Sequence, residues 1–151
     1  MVLGPAIFIA RSVPCVVTVV PMGTIPLEAL HQAIRSAWSA DTSAVSDWTN
    51  SNSAKGQCAV TACVVHDHLG GDIFNCTATL PTGETVSHYF NVIDGEIVDL
   101  TVEQFPEHTR FSEPKPKAEG FPSTRDYCLS YERTKQRYEL LQERVAERLD
   151  R

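Results

Sequence analysis

The sequence predicts an α+β domain: a buried central helix bearing Cys58 packs on an antiparallel sheet, with flanking N- and C-terminal helices. Three observations predict it. Apolar residues recur at helical spacing near both ends of the domain, at Leu27, Leu30, Ile34 and Trp38 and again at Leu129, Tyr138, Leu141, Val145 and Leu149. The stretch 55–71, KGQCAVTACVVHDHLGG, is apolar nearly all round in its N-terminal half, as a helix buried on every side is. Residues 85–93 and 96–101 read as strands on either side of Asp94-Gly95, a dipeptide suited to a two-residue hairpin turn.

Taken in order, residues 1–21 hold two apolar runs divided by Arg11 and punctuated by Pro5, Pro14 and Pro21, with no basic start, so they fit neither a signal peptide nor a membrane span. They are expected to form an extension outside the fold, with a single globular domain over 22–151 that starts near Met22. An added edge strand at 15–20 and an unusual export sequence are the alternatives. Pro26 suits a helix start, and residues 26–38 form the first amphipathic helix. The polar run 39–52 is a loop, in which Trp48 must bury its ring at the core edge or in a cleft wall. Ser53 is the candidate N-cap of the central helix, and Gly70-Gly71 its end. Residues 72–79 carry enough β-branched and aromatic side chains for a strand, and Pro81-Thr82-Gly83 for a turn. Four prolines between 106 and 123 indicate a connecting loop, long enough to cover a cleft but read as a solvated linker. Residues 125–149 form a surface helix with balanced charge.

Composition narrows the function. The chain has 151 residues, 13 basic against 19 acidic side chains, and a net charge of -6. All of that excess lies before residue 102, where Arg11, Arg35 and Lys55 face nine carboxylates. Nucleic acid and anionic membranes are therefore poor partners, and a small-molecule or peptide substrate fits better. Five cysteines at irregular spacing suit reduced thiols in a cytoplasm rather than a disulfide framework.

The hairpin carries the chemistry. With Asp94-Gly95 as its loop, Ile93 pairs with Glu96, Phe90 with Asp99 and His88 with Thr101, so His88, Phe90, Val92, Ile97 and Asp99 share one face. His88 and Asp99 become diagonal neighbours within reach of each other, about 7–8 Å between backbone positions. Cys58, in the first turn of its helix, sits where free N–H groups and the helix dipole favour a thiolate and an oxyanion. Cys58 as nucleophile, His88 as base and Asp99 as its orienting group make a triad for a thiol hydrolase or acyltransferase acting on an amide or thioester bond. The Cys58 N–H and the Gln57 amide are the candidate oxyanion donors, and Trp48 and Asn91 the candidate substrate contacts. The same residues also fit a non-catalytic binding or adaptor domain in which they stabilise the core. A thiol redox sensor pairing Cys58 with Cys63 or Cys76 is a third reading, and the role of Cys128 is open. No metal or cofactor is expected: Cys58, Cys63, His66, His68, Cys76 and His88 crowd one region, but no four converge on one point.

The strings AWSADTS, GQCAVTACVV, GGDI, SHYFNV, DGEIVDLTVEQF and YERTKQRYELLQERV resemble those of the YunG-like family of small bacterial proteins. The resemblance runs from about Leu27 to the C-terminal helix and implies that Gln57, Cys58, His88, Asn91 and Asp99 stand at family motif positions. Phe90 stands where such sequences typically carry tryptophan. The order Cys on a helix start, His on a strand, Asp on the next strand is also similar to papain-like and transglutaminase-like thiol enzymes, which implies a cysteine-hydrolase type of architecture. The chain lacks the glutamine several residues before the cysteine of the first and the longer His-to-Asp spacing of the second.

Overall fold

The computed structural model describes residues 25–150, so the expected extension over residues 1–21 lies outside the described residues. Helix α1 (Leu27–Ala37) follows Pro26, and short 3-10 turns at Ala40–Thr42 and Asn50–Asn52 lead to α2 (Cys58–Leu69). Strands β1 (Asp72–Thr79), β2 (Thr85–Ile93) and β3 (Glu96–Val98) follow, then a 3-10 turn at Val102–Gln104 and strand β4 (Arg110–Phe111). Helices α3 (Thr124–Leu129) and α4 (Glu132–Leu149) complete the order. The sheet is antiparallel throughout, in the order β3-β2-β1-β4.

Helix α2 is the centre of the packing because it has no polar face in its first half. Val60, Thr61, Ala62, Cys63, Val64 and Val65 are all buried. They join Leu30 and Ile34 of α1, Leu141 and Val145 of α4, and Ile73, Val98 and Leu100 from the sheet side in one core. Two buried polar groups in this core are paired: Trp38 Nε1 donates to Thr61 Oγ1 at 2.9 Å, and Asn91 Nδ2 donates to the Ala62 carbonyl at 3.0 Å. The helix begins later than its candidate cap, Ser53, which lies in the turns ahead of it. It stops at Gly70, whose φ of 76° and ψ of -150° belong to a region open in practice to glycine alone.

The hairpin has the expected register, with Ile93 opposite Glu96 and Asn91 opposite Val98. Asp94 and Gly95 both take positive φ, 52° and 81°, as a tight hairpin loop requires. Alternation along β2 then divides its side chains. Tyr89 and Ile93 pack with α2, whereas Phe90 and Val92 join Phe74, Cys76, Ile97 and Phe111 in a second cluster on the reverse face.

Two expectations change. Residues 106–123 are not simply a solvated linker: Arg110–Phe111 pair with β1 as an edge strand, and Lys115 bridges to Asn75. A two-residue strand leaves no alternation to detect, and prolines on either side of it are tolerated at a sheet edge. The C-terminal helix is broken into α3 and α4 at Ser130 and Tyr131, and both sections bury residues in the main core, Cys128 from α3 and Tyr138, Leu141 and Val145 from α4. Among the described residues, no helix is long and apolar enough to cross a membrane.

Candidate functional site

Cys58 is the first residue of α2, and the loop before it is tightly fixed. Gly56 has φ 75°, and a Cβ there would stand 2.3 Å from Ser43 Oγ and 2.9 Å from the Ala44 nitrogen. This close approach lets the Gly56 carbonyl accept from the Ala44 N–H at 2.9 Å and the Lys55 carbonyl accept from Ser43 Oγ at 2.7 Å. Gln57 is fully buried, and its Nε2 donates to the Ser39 carbonyl at 3.0 Å while Oε1 is buried without a partner. No side chain caps α2, so the N–H groups of its first turn keep their partial positive charge beside the thiol.

The partner of this helix tip is the open edge of β2. Pairing with β3 ends at Val98, opposite Asn91, so from Ser87 to Phe90 strand β2 has β1 on one side and no strand on the other. Cys58 comes to that edge, its Sγ 3.9 Å from the Ser87 carbonyl oxygen. The thiol is near enough to the imidazole of His88, whose side chain belongs to the reverse face, to raise its pKa, although Nδ1 of the ring makes no hydrogen bond. His88 Nδ1 is buried and unpartnered, and Nε2 is 2.7 Å from Asp99 Oδ2. Asp99 lies just beyond β3, where its Oδ1 accepts from the Thr101 N–H at 3.2 Å.

His88 and Asp99 are 0% and 1% exposed. The imidazole is enclosed by aromatic rings, edge-on to Phe105 at 4.8 Å and tilted against Phe90 at 5.7 Å. Burial alone would lower the His88 pKa. The hydrogen bond to Asp99 and the neighbouring Cys58 thiol outweigh it and push the pKa up to about 10, which favours the protonated ring at neutral pH. Gln104, on the turn after Asp99, ties this segment to the loop before Cys58: its Oε1 accepts from the Gly56 N–H at 3.5 Å, and its backbone carbonyl from Asn52 Nδ2 at 3.3 Å.

A cleft of about 540 Å³ opens on Cys58. One wall comes from the loops at Ala44–Asp47 and Lys55–Gly56, another from Leu80, Glu84 and Ser87 at the β1–β2 turn, and the third from Lys117 and the α3–α4 corner. Of the residues singled out in the sequence, Cys58, His88 and Asp99 come together, with Gln57 directly behind them. Trp48 is not on the cleft wall: it is half-buried and donates from Nε1 to the Ser53 carbonyl at 2.9 Å. Asn91 is on the α2 face, its amide engaged by Ala62, and does not line the cleft either.

The other described cysteines are free and buried. The neighbouring Cys128 thiol, with burial, raises the pKa of the buried Cys63. Cys76 sits on the reverse face, where burial, with Asp99 and Cys58 adding, pushes its thiol up to about 12. Sequence reasoning missed the third cleft wall, Lys117, Tyr127, Tyr131 and Arg137, because nothing local links those positions to Cys58. Gln104 had a weak signal in the string VEQF.

With this geometry in place, comparison with known proteins identifies the family. The sequence model of the YunG protein family matches residues 26–150. The chain is also 33% identical over 101 residues to the "Uncharacterized protein YunG" of Bacillus subtilis (strain 168), an alignment covering 66% of this chain and 82% of that one. The chain belongs to the YunG family. No solved structure matches it.

Proposed function

We propose that this YunG-family protein is a thiol hydrolase or acyltransferase acting on an amide or thioester bond. The observation that carries the reading is the meeting of Cys58 with the His88–Asp99 pair at the open edge of β2, under a cleft that reaches the thiol. Asp99 holds Nε2 of the imidazole, which leaves Nδ1 as the nitrogen to serve the sulfur. In this reading the Cys58 thiolate attacks the acyl carbon and the oxyanion is held by the first-turn N–H groups of α2, that of Cys58 foremost. His88 gives its proton to the leaving amine or thiol. It then takes a proton from the water, or other acceptor, that releases the acyl group. Gln57 supports the loop through Ser39, and its remaining amide hydrogen is the only one available to an oxyanion. The helix-strand-strand order of the three groups is that of papain-like enzymes, an analogy of architecture alone.

One observation favours a second reading. His88 is completely sealed, and a buried imidazolium–carboxylate pair can also serve only to hold the segment 99–105 against the sheet. In that case the protein is a binding domain whose cleft does no chemistry.

Alkylation of Cys58 by iodoacetamide as a function of pH separates the two. The enzymatic reading expects labelling that persists well below pH 7 and is lost from that range in His88→Ala. Labelling that rises only near an ordinary thiol pKa of about 8.5, equally in both proteins, would reject it.

A further inference from the structure

The third wall of the cleft has a character that the reacting groups do not require. Lys117 and Arg137 both line it, and neither has a carboxylate partner among the described residues. Lys117 Nζ lies 5.7 Å from the centre of the Tyr127 ring. Arg137 is partly buried, its Nε has no hydrogen-bond partner, and burial together with the nearby Arg133 lowers its pKa. Two cations without an ion-pair partner therefore line this wall, with Glu119 near Tyr127 as the carboxylate on that side, in a chain whose net charge is -6. The carboxylates of the cleft lie on other walls: Asp47 is held by Lys55 at 2.7 Å, and Glu84 is at the β1–β2 turn.

Next to these cations is an aromatic cluster. Tyr127 and Tyr131 meet edge to face at 5.5 Å with their hydroxyls 3.1 Å apart, and Phe121 packs on Tyr127 at 6.1 Å. Phe121 and Tyr131, 43% and 56% exposed, are the large hydrophobic side chains left open among the described residues, and both belong to this cluster. Exposed aromatics gathered at one cleft rim mark a binding surface more than a folding need.

We infer that Lys117 and Arg137, with the rings of Tyr127 and Tyr131, form a substrate subsite for a carboxylate carried beside an aromatic group. The inference rests on the acyl-transfer reading for the identity of the cleft as an active site, and names the substrate class: an amide or thioester whose acyl or leaving part bears both features. A peptide ending in an aromatic residue and an N-acyl aromatic amino acid share that chemistry.

Binding of 3-phenylpropanoate and 3-phenylpropan-1-ol to the full chain tests the subsite without any scissile bond, read by NMR titration of backbone amides. The carboxylate is expected to bind about fivefold more tightly than the alcohol, with shifts centred on residues 117, 127 and 131. In Lys117→Gln/Arg137→Gln the preference should fall below about twofold while the alcohol binds as before, and Lys117→Arg should retain it. Raising NaCl to about 0.5 M should narrow it as well. Equal affinity of the two ligands for the wild type, a preference that survives the double substitution, or shifts located elsewhere would each overturn the subsite. A parallel comparison of N-chloroacetyl-phenylalanine with its carboxamide, as alkylators of Cys58, reads the reaction separately. The free acid should react faster. If neither compound modifies Cys58 while 3-phenylpropanoate keeps its preference, the acyl-transfer reading fails and the subsite stands.

Discussion

The two faces of β2 bury polar side chains for different ends. On the face toward α2, Asn91 is neutral and its amide donates to a carbonyl within the helix, so the group costs little to bury and locks strand to helix. On the reverse face, His88 has its pKa raised by Asp99, to which it is bonded through one nitrogen, and is unpartnered at the other. Both residues are essentially inaccessible, 2% and 0% exposed. Burial therefore does not distinguish a polar residue satisfied within the fold from one with a nitrogen left over. The difference lies in completeness: the amide of Asn91 has its acceptor inside the fold, whereas the imidazole is held at Nε2 and has no partner at Nδ1.

The largest test of this contrast removes the anion from the reverse face. Asp99→Ala removes the hydrogen bond and counter-charge that offset burial of the His88 ring, whether the ring then stays charged or gives up its proton, and should lower the unfolding free energy by about 3–5 kcal/mol in urea titrations at pH 6. Replacing both partners, as His88→Leu/Asp99→Leu, should recover most of that loss, since no stranded charge remains. A cost for Asp99→Ala below about 1 kcal/mol would mean that the reverse face holds no buried ion pair, and the contrast with Asn91 would collapse.

The next effect is a pH dependence. The folded His88 pKa is raised, to about 10, above the ordinary value of 6.5. Protonation therefore favours the folded state. Its contribution is complete below about pH 6.5 and is lost as the pH climbs toward 10. Stability of the wild type should fall by up to a few kcal/mol across that window, and the fall should be largely absent in the double leucine variant. A wild-type profile parallel to that of the double variant would assign the decline to other groups.

The reverse face was legible in the sequence to an unusual degree, and the reason is local. Asp94-Gly95 fixes a two-residue loop, the loop fixes the register, and the register puts His88 and Asp99 on one side. Cys58 was legible because an all-round apolar run ending at Gly70-Gly71 defines a buried helix, although its start fell at Cys58 itself rather than after Ser53. What could not be read was how the helix tip reaches a ring on the far face of the strand. That depends on β3 ending at Val98, one residue before Asp99, which alternation does not reveal. The α3–α4 corner was hidden for a similar reason: the break at Ser130 and Tyr131 has no proline or glycine to announce it, and its approach to the cleft is a tertiary fact. Asn91, a family motif position by resemblance, shows that such a residue can serve the helix–sheet contact and not the cleft.

The smallest effect expected is at Asn91, and it tests whether the two faces are independent. Asn91→Ala removes one hydrogen bond and leaves a small void beside α2. The Ala62 carbonyl retains its place in the helix, so no acceptor is fully stranded, and the cost should be about 1–2 kcal/mol. Because its side chain points away from His88, the variant should keep the wild-type decline in stability between pH 6.5 and 10. Its Cys58 alkylation profile should also be unchanged. If instead Asn91→Ala shifts that profile, α2 has moved along β2, and the position of the thiol at the open edge depends on the lock three residues away from His88. The two faces would then form one device, with the neutral amide setting the distance that the charged ring uses.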